Sequence, residues 1–168
     1  MAPRPQLDGA SLDEIERVYR ARLPELRRVA TAIAGDSDLA RDAVQEAFAL
    51  AVRKRASFSG EGPLEAWLWR IVVNATRDQR RGARRTAAGP EAPPPRANGH
   101  HDATGDRVRA ALALLPERQR LILFLHYYAD LDYATIAGAL EISPGTVGAT
   151  LHSARASLRR LLEEALHD

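Results

Sequence analysis

Between Thr86 and Gly105 the chain runs TAAGPEAPPPRANGHHDATG, twenty residues without one bulky apolar side chain. Such a stretch buries too little surface to offset the entropy of ordering it. It reads as a flexible linker over 86–105, so the chain divides into two halves, residues 11–85 and 106–166. On a flexible tether the two halves are expected to move independently in the free protein. His100 and His101 lie inside this segment. A metal site there would need further ligands close by, and none is apparent.

Both halves read as helices. In the first, Ser11 stands three residues before Glu14, the spacing of a capping box. Ile15, Val18, Tyr19 and Leu23 then recur at helical intervals. Pro24 suits the first turn of a helix, so a second helix is expected from there through Leu26, Val29, Ala30 and Ile33, ending at Gly35. Ser37 or Asp38 starts a third, with Ala40, Val44, Ala47, Phe48 and Ala51 on one face. After the loop SFSGEGP (57–63), a last helix runs from about Leu64 to Arg85. Its apolar face takes in Trp67, Leu68, Ile71, Val72 and Ala75, and its end is almost purely basic.

In the second half, Val108, Ala111, Leu112 and Leu115 make one stripe, and Leu121, Ile122, Phe124, Leu125 and Tyr128 another. Then YATIAGAL (133–140), a short turn and ISPGTVGATLHSAR (142–155) follow. Two short helices with a tight turn and small Ala137 at the inner face fit a helix-turn-helix. Ser143 is a good N-cap and Pro144 suits the first helical position. Val147, Leu151, Ala154, Leu158 and Leu161 recur at steps of three and four, so that stripe faces the core. Thr146, Gly148, Ala149, Thr150, His152 and Ser153 lie off it, where some would face a major groove. Neither half carries the alternating pattern of a strand. The fold class is therefore all-α, two small helical domains on a linker.

Charge separates the halves. Residues 11–85 carry 15 basic and 11 acidic side chains, and residues 106–168 carry 7 and 8. The positive density peaks at Arg77, Arg80, Arg81, Arg84 and Arg85, opposed only by Asp78. A nucleic-acid partner would draw most of its phosphate attraction from the first half. The chain has no cysteine, which excludes disulfides, thiolate zinc sites and cysteine nucleophiles and fits a reducing cytoplasm. The N-terminal stretch MAPRPQLDGASLDE lacks the apolar core of a signal peptide, and no apolar run approaches bilayer length.

The stretch from Leu115 to Leu162, containing LPERQR and the helix-turn-helix, resembles the fourth conserved region of bacterial sigma factors. Asp38 to Arg81, containing DLARDAVQEAF and WLWRIVVN, resembles the second. Two such regions on a linker, without a first or third, is the plan of the extracytoplasmic-function sigma factors. The resemblance implies core RNA polymerase and promoter DNA as partners, with an anti-sigma protein as a further candidate. It also implies a monomer when free, a cytoplasmic location, no cofactor, no metal and no covalent chemistry. It places Asp42, Gln45 and Glu46 against the polymerase clamp; their spacing puts them on one polar face. Phe48 is assigned to the core.

For the −10 element it implies Asn74, which offers a donor and an acceptor for a base edge, and the loop 58–63, including Phe58 and Ser59. Of the two tryptophans, Trp67 falls on the apolar stripe, so Trp69 is the better candidate for stacking on an unpaired base. Arg77, Arg80, Arg81 and Arg84 would grip phosphates. For the −35 element it implies Arg120, Ser143, Thr146, Gly148, Ala149, Thr150, His152, Ser153 and Arg155.

The chain departs from the family pattern where relatives usually have Glu at the position of Thr135 and basic residues at those of Gly148, Thr150 and Ser153. Only Arg155, Arg159 and Arg160 remain on the final helix, so its base readout is expected to be weak. A second reading therefore stays open: a sigma-like regulator that relies on a partner, or that binds polymerase without reading a −35 element. An enzyme is a third, but no Ser-His-Asp order, ligand cluster or phosphate loop supports it.

Overall fold

The computed structural model describes residues 9–86 and 103–167, which form seven α-helices and no strand. The first half is a three-helix bundle of α1 (Leu12–Ala34), α2 (Ser37–Lys54) and α3 (Leu64–Thr86). The second half holds α4 (Ala103–Leu114), α5 (Glu117–Tyr127), α6 (Tyr133–Leu140) and α7 (Pro144–His167). Helix α3 therefore takes in Thr86 and α4 takes in 103–105, which shortens the expected linker at both ends. The rest of that linker, with His100 and His101, lies outside the described residues.

The capping box at Ser11 forms in full: Glu14 N–H donates to Ser11 Oγ, and Ser11 N–H donates to the Glu14 carboxylate. Pro24 does not open a new helix. It sits inside α1, whose buried residues Ile15, Leu26, Val29, Ala30 and Ile33 continue on one side across it. Packing of that continuous stripe outweighs the one backbone hydrogen bond a proline removes. Gly35 closes α1 in the left-handed region at φ 78°, as glycine permits. Helix α2 starts at Ser37, one of the two starts expected, and Asp36 caps it: its carboxylate accepts from the amides of Asp38 and Leu39. Ala40, Ala43, Ala47 and Ala51 let α2 lie close to its neighbours, and Tyr19 meets Phe48 edge to face at 4.3 Å.

In the second half, Asp132 caps α6 by accepting from Thr135 N–H at 2.7 Å. Glu141 ends it in the left-handed region, and Ile142 N–H donates to the carbonyl of buried Ala137 in the tight turn. Val147, Leu151 and Ala154 are fully buried, as the stripe on α7 required. In α5, Leu121 to Leu125 are all buried, while Tyr128, expected on that stripe, is 48% exposed.

The halves are not apart. Helix α6 packs on α3 and α5 touches α1, a direct contact that the linker reading did not foresee. The physical reason lies in α6: Thr135, Ile136, Ala137 and Ala139 are buried, and YATIAGAL is apolar almost all round, which requires cover on more than one side.

Candidate nucleic-acid interface

Helix α2 presents Asp42, Gln45 and Glu46 together on its solvent side, all exposed. Their alternation with buried Ala43, Val44, Ala47 and Phe48 fixes that orientation. Glu46 accepts a hydrogen bond from Gln79 of α3 at 2.7 Å. Gln79, which sequence reasoning passed over, thus ties the acidic face to α3; only tertiary packing reveals it.

Beside this face an open groove of about 950 Å³ runs between α2 and α3. Trp67, Arg70, Ile71, Asn74 and Asp78 of α3 line it, with Glu46 and Lys54 of α2 opposite. Asn74 is exposed. The two tryptophans exchange the roles expected of them. Trp69 is 1% exposed, with its indole N–H toward Glu65 at 3.4 Å, so it offers no face to a base. Trp67 is half-buried and its ring leans on Phe58 at 5.6 Å. The reason is a rotation of the core stripe: Leu68, Trp69, Val72, Val73 and Thr76 are buried rather than Trp67, Leu68, Ile71, Val72 and Ala75. Buried Thr76 gives its hydroxyl proton to the Val72 carbonyl, so a polar residue completes that stripe without an unpaired donor. Phe58 reaches the groove edge through Trp67, and Ser59 caps its own turn by accepting from Glu61 N–H at 3.2 Å.

The basic cluster at the end of α3 is divided. Arg77 pairs with Glu117 of α5 at 3.0 Å, and Arg80 lies in a small cleft with Glu117, Arg120, Leu121 and Phe124. Burial lowers the guanidinium pKa of Arg80, Arg84 lowers it further, Glu117 opposes them and Arg120 adds to them. An arginine stays charged regardless. Asp78 is therefore not the only acid facing the cluster. Arg81 pairs with Asp78 at 3.1 Å in the open, and Arg84 is exposed. Arg120 is drawn into the cleft, where its guanidinium donates to the Ala113 carbonyl, instead of joining the exposed face of α7.

On α7, Ala149, His152 and Ser153 are exposed, and Thr146, Gly148 and Thr150 are half-buried. Ser143 and Thr146 satisfy one another: Thr146 N–H donates to Ser143 Oγ at 3.1 Å, and the two hydroxyls lie 2.8 Å apart. A Cβ on Gly148 would stand 3.4 Å from the Tyr133 ring. Ser153 Oγ accepts from Gln119 at 3.2 Å. Arg155 Nε donates to Tyr127 Oη at 2.6 Å, with the guanidinium 5.5 Å from the ring centre. Gln119 and Tyr127 are partners that spacing along the chain could not reveal. Among the described residues no group of three or more His, Asp or Glu is placed to share a metal ion, and no helix is long and apolar enough to cross a membrane.

Comparison with known proteins gives this geometry a family. Residues 18–86 match the Sigma-70 region 2 family and residues 105–158 match Sigma-70, region 4. The chain is 33% identical over 160 residues to the ECF RNA polymerase sigma factor SigM of Mycobacterium tuberculosis, covering 92% of this chain and 79% of that one. It is 31% identical over 157 residues to the ECF RNA polymerase sigma factor EcfG of Rhodopseudomonas palustris, covering 89% and 86%. In fold it is similar to the sigma factor RpoE of Bartonella quintana, solved in complex with the anti-sigma factor NepR. The TM-score is 0.69 and the identity 27%, over 90% of this chain and 98% of that one. CnrH, solved with the cytosolic domain of CnrY, superposes with the same TM-score at 23% identity over 92% and 91%, a likeness of fold. With region 2 ahead of region 4 and such relatives along most of its length, the chain belongs to the extracytoplasmic-function sigma factors, which direct RNA polymerase to promoters.

Proposed function

We propose that the first half does most of the promoter work in this sigma factor and that the second half adds a weak contact. In this reading Asp42, Gln45 and Glu46 dock on the polymerase clamp. Asn74, Trp67 and the loop 58–63 take the −10 strand, with Arg81 and Arg84 on phosphates. The final helix lies on the −35 element through Thr150, His152, Ser153 and Arg155. The chain serves as a non-catalytic, cytoplasmic subunit, and an anti-sigma protein is a candidate partner, as one is for the Bartonella neighbour. One observation carries the reading: an exposed, acid- and amide-bearing face on α2 stands next to a groove holding an accessible tryptophan and an exposed asparagine.

The test is Asp42→Lys/Glu46→Lys. Binding to core polymerase should fall at least tenfold while helicity by circular dichroism stays unchanged. Unaltered affinity in a pull-down titration would remove the clamp assignment.

A partner-dependent regulator is the second reading, and the exposed face of Ala149, His152 and Ser153, which carries no arginine or lysine, favours it. Run-off transcription from one of the protein's own promoters, with an intact or a scrambled −35 element, separates the two. Equal output from both templates supports the second.

A further inference from the structure

Where α3 passes the start of α5, arginines outnumber the acids that could match them. Arg77, Arg80 and Arg84 follow one another at steps of three and four, so they share one side of α3. Arg80 lies with Arg120 and Glu117 in a small cleft whose other walls are apolar: Ala32 and Ile33 of α1, Leu121 and Phe124 of α5. Glu117 is already paired with Arg77 at 3.0 Å. Arg120 gives one N–H to the Ala113 carbonyl, a neutral acceptor that leaves its charge unmatched. Among the described residues, the guanidiniums of Arg80 and Arg84 have neither a hydrogen bond nor an ion pair. Burial loosens the hold of Arg80 on its proton first, and Arg84 and Arg120 add to that, with Glu117 alone opposing them. The cluster is separate from the groove between α2 and α3. Arg80 comes six residues after Asn74, which turns it about 120° away around the helix, whereas Arg81 is turned only about 20°. A strand lying in the groove meets Arg81 and not Arg80.

We propose that Arg80 and Arg120, with Arg84 at the rim, form a binding site for a small polyphosphate anion, either the triphosphate of a nucleotide or an inorganic chain of the same chemistry. The cleft has a volume of about 10 Å³ and holds no more than a water, so the anion lies across its mouth, within reach of the long side chains. A guanidinium stays charged and offers a planar fork that takes two phosphate oxygens at once. Forks arriving from two helices suit phosphates in series better than a single carboxylate, and Glu117 meets only Arg77 among them. The apolar walls lower the local dielectric and strengthen each contact. The same walls make the empty cluster costly, because like charges stand together with little water between them. An anion that binds here removes that repulsion and stabilises the folded chain by mass action. The inference needs no assignment of the −10 or −35 residues.

The test is calorimetric titration of the full chain with inorganic tripolyphosphate, free of magnesium and at constant ionic strength. Binding should saturate at one anion per chain, and the anion should raise the melting temperature; a heat that never saturates overturns the proposal. Arg80→Gln/Arg120→Gln should weaken binding by roughly tenfold or more, since two charge-assisted contacts are lost. Its own melting temperature without the anion should be no lower than that of the native chain, which shows that the variant folds. Arg53→Gln/Arg159→Gln removes the same charge from two exposed arginines elsewhere and should bind as the native chain does. Equal affinity of the native chain and Arg80→Gln/Arg120→Gln overturns the proposal. So does an equal loss in both variants, because net charge alone would then be at work. ATP shares the triphosphate and separates the two sources. Tighter binding of ATP than of tripolyphosphate assigns a nucleotide, and equal or weaker binding assigns the inorganic chain; each supports the site.

Discussion

The two tryptophans show what one residue can and cannot disclose. Trp67 and Trp69 stand two apart, so on a helix they point in widely different directions, and only one can enter the core. Sequence spacing placed the stripe one residue too early, because Ile71 and Ala75 look as apolar as Val72 and Val73. The polar member Thr76, buried with its proton on a carbonyl, hides the true stripe from a hydrophobicity reading. Trp69→Ala should therefore cost about 3–5 kcal/mol of stability, the usual price of deleting a buried aromatic. Trp67→Ala should cost far less and weaken binding to a −10 single strand instead. Denaturant titration together with oligonucleotide binding checks both, and the reverse pattern would restore Trp69 to the groove. Asp132 was legible neither as a cap nor as a titrating group. Its carboxyl lies below the ordinary range, first through the Thr135 amide and then through the Thr135 side chain. Because the folded value is depressed, the stabilisation is present above the unfolded pKa of about 3.9 and is lost as pH falls through the folded value. Asp132→Ala should cost about 1 kcal/mol at neutral pH, and Asp132→Asn should keep most of that while flattening the acid limb of a stability–pH curve.

At the scale of elements the sequence was most readable where caps and stripes agree. Ser11 with Glu14, Gly35, and the Val147–Leu151–Ala154 stripe all appear in the structure as their local chemistry required. Pro24 was misread because a local rule met a longer apolar stripe that overrides it. The final helix was read correctly as to its faces, and the structure adds why its single near arginine is restrained: Arg155 is bonded to Tyr127 and stacked near its ring. An exposed face of Ala149, His152 and Ser153 can offer few phosphate contacts. Gly148→Arg/Ser153→Arg should tighten binding to −35 duplexes by about 1–3 kcal/mol per productive contact and steepen the salt dependence by roughly one unit per added phosphate. A Cβ at Gly148 meets the Tyr133 ring at 3.4 Å, an ordinary contact distance, so the first substitution does not clash at its Cβ. A salt-titrated binding assay with the full chain checks this; an unchanged slope would mean that α7 does not lie on DNA.

At the scale of the molecule, the packing of α6 on α3 was the least legible feature, because complementarity between distant segments leaves no periodicity behind. One signal was available: α6 is apolar nearly all round and only eight residues long, too short to hold itself by backbone hydrogen bonds alone. Its stability is thus owed to cover on both sides, one side from its own half and the other from α3. Gly138 tests this with opposing signs. Within a helix interior, replacing glycine by leucine gains roughly 1 kcal/mol of intrinsic propensity. If the contact with α3 were incidental, Gly138→Leu would therefore make the second half more stable. At 2.9 Å from Ala66 Cβ, however, the added side chain has no space in the closed molecule, and overpacking of this kind costs about 1–3 kcal/mol. The closed arrangement should then open. Small-angle scattering should show a larger radius of gyration for Gly138→Leu, and calorimetry should resolve two unfolding transitions where the native chain gives one. A compact Gly138→Leu protein with a single transition at a higher temperature would mean that the closed arrangement does not depend on the close approach of Gly138 to Ala66.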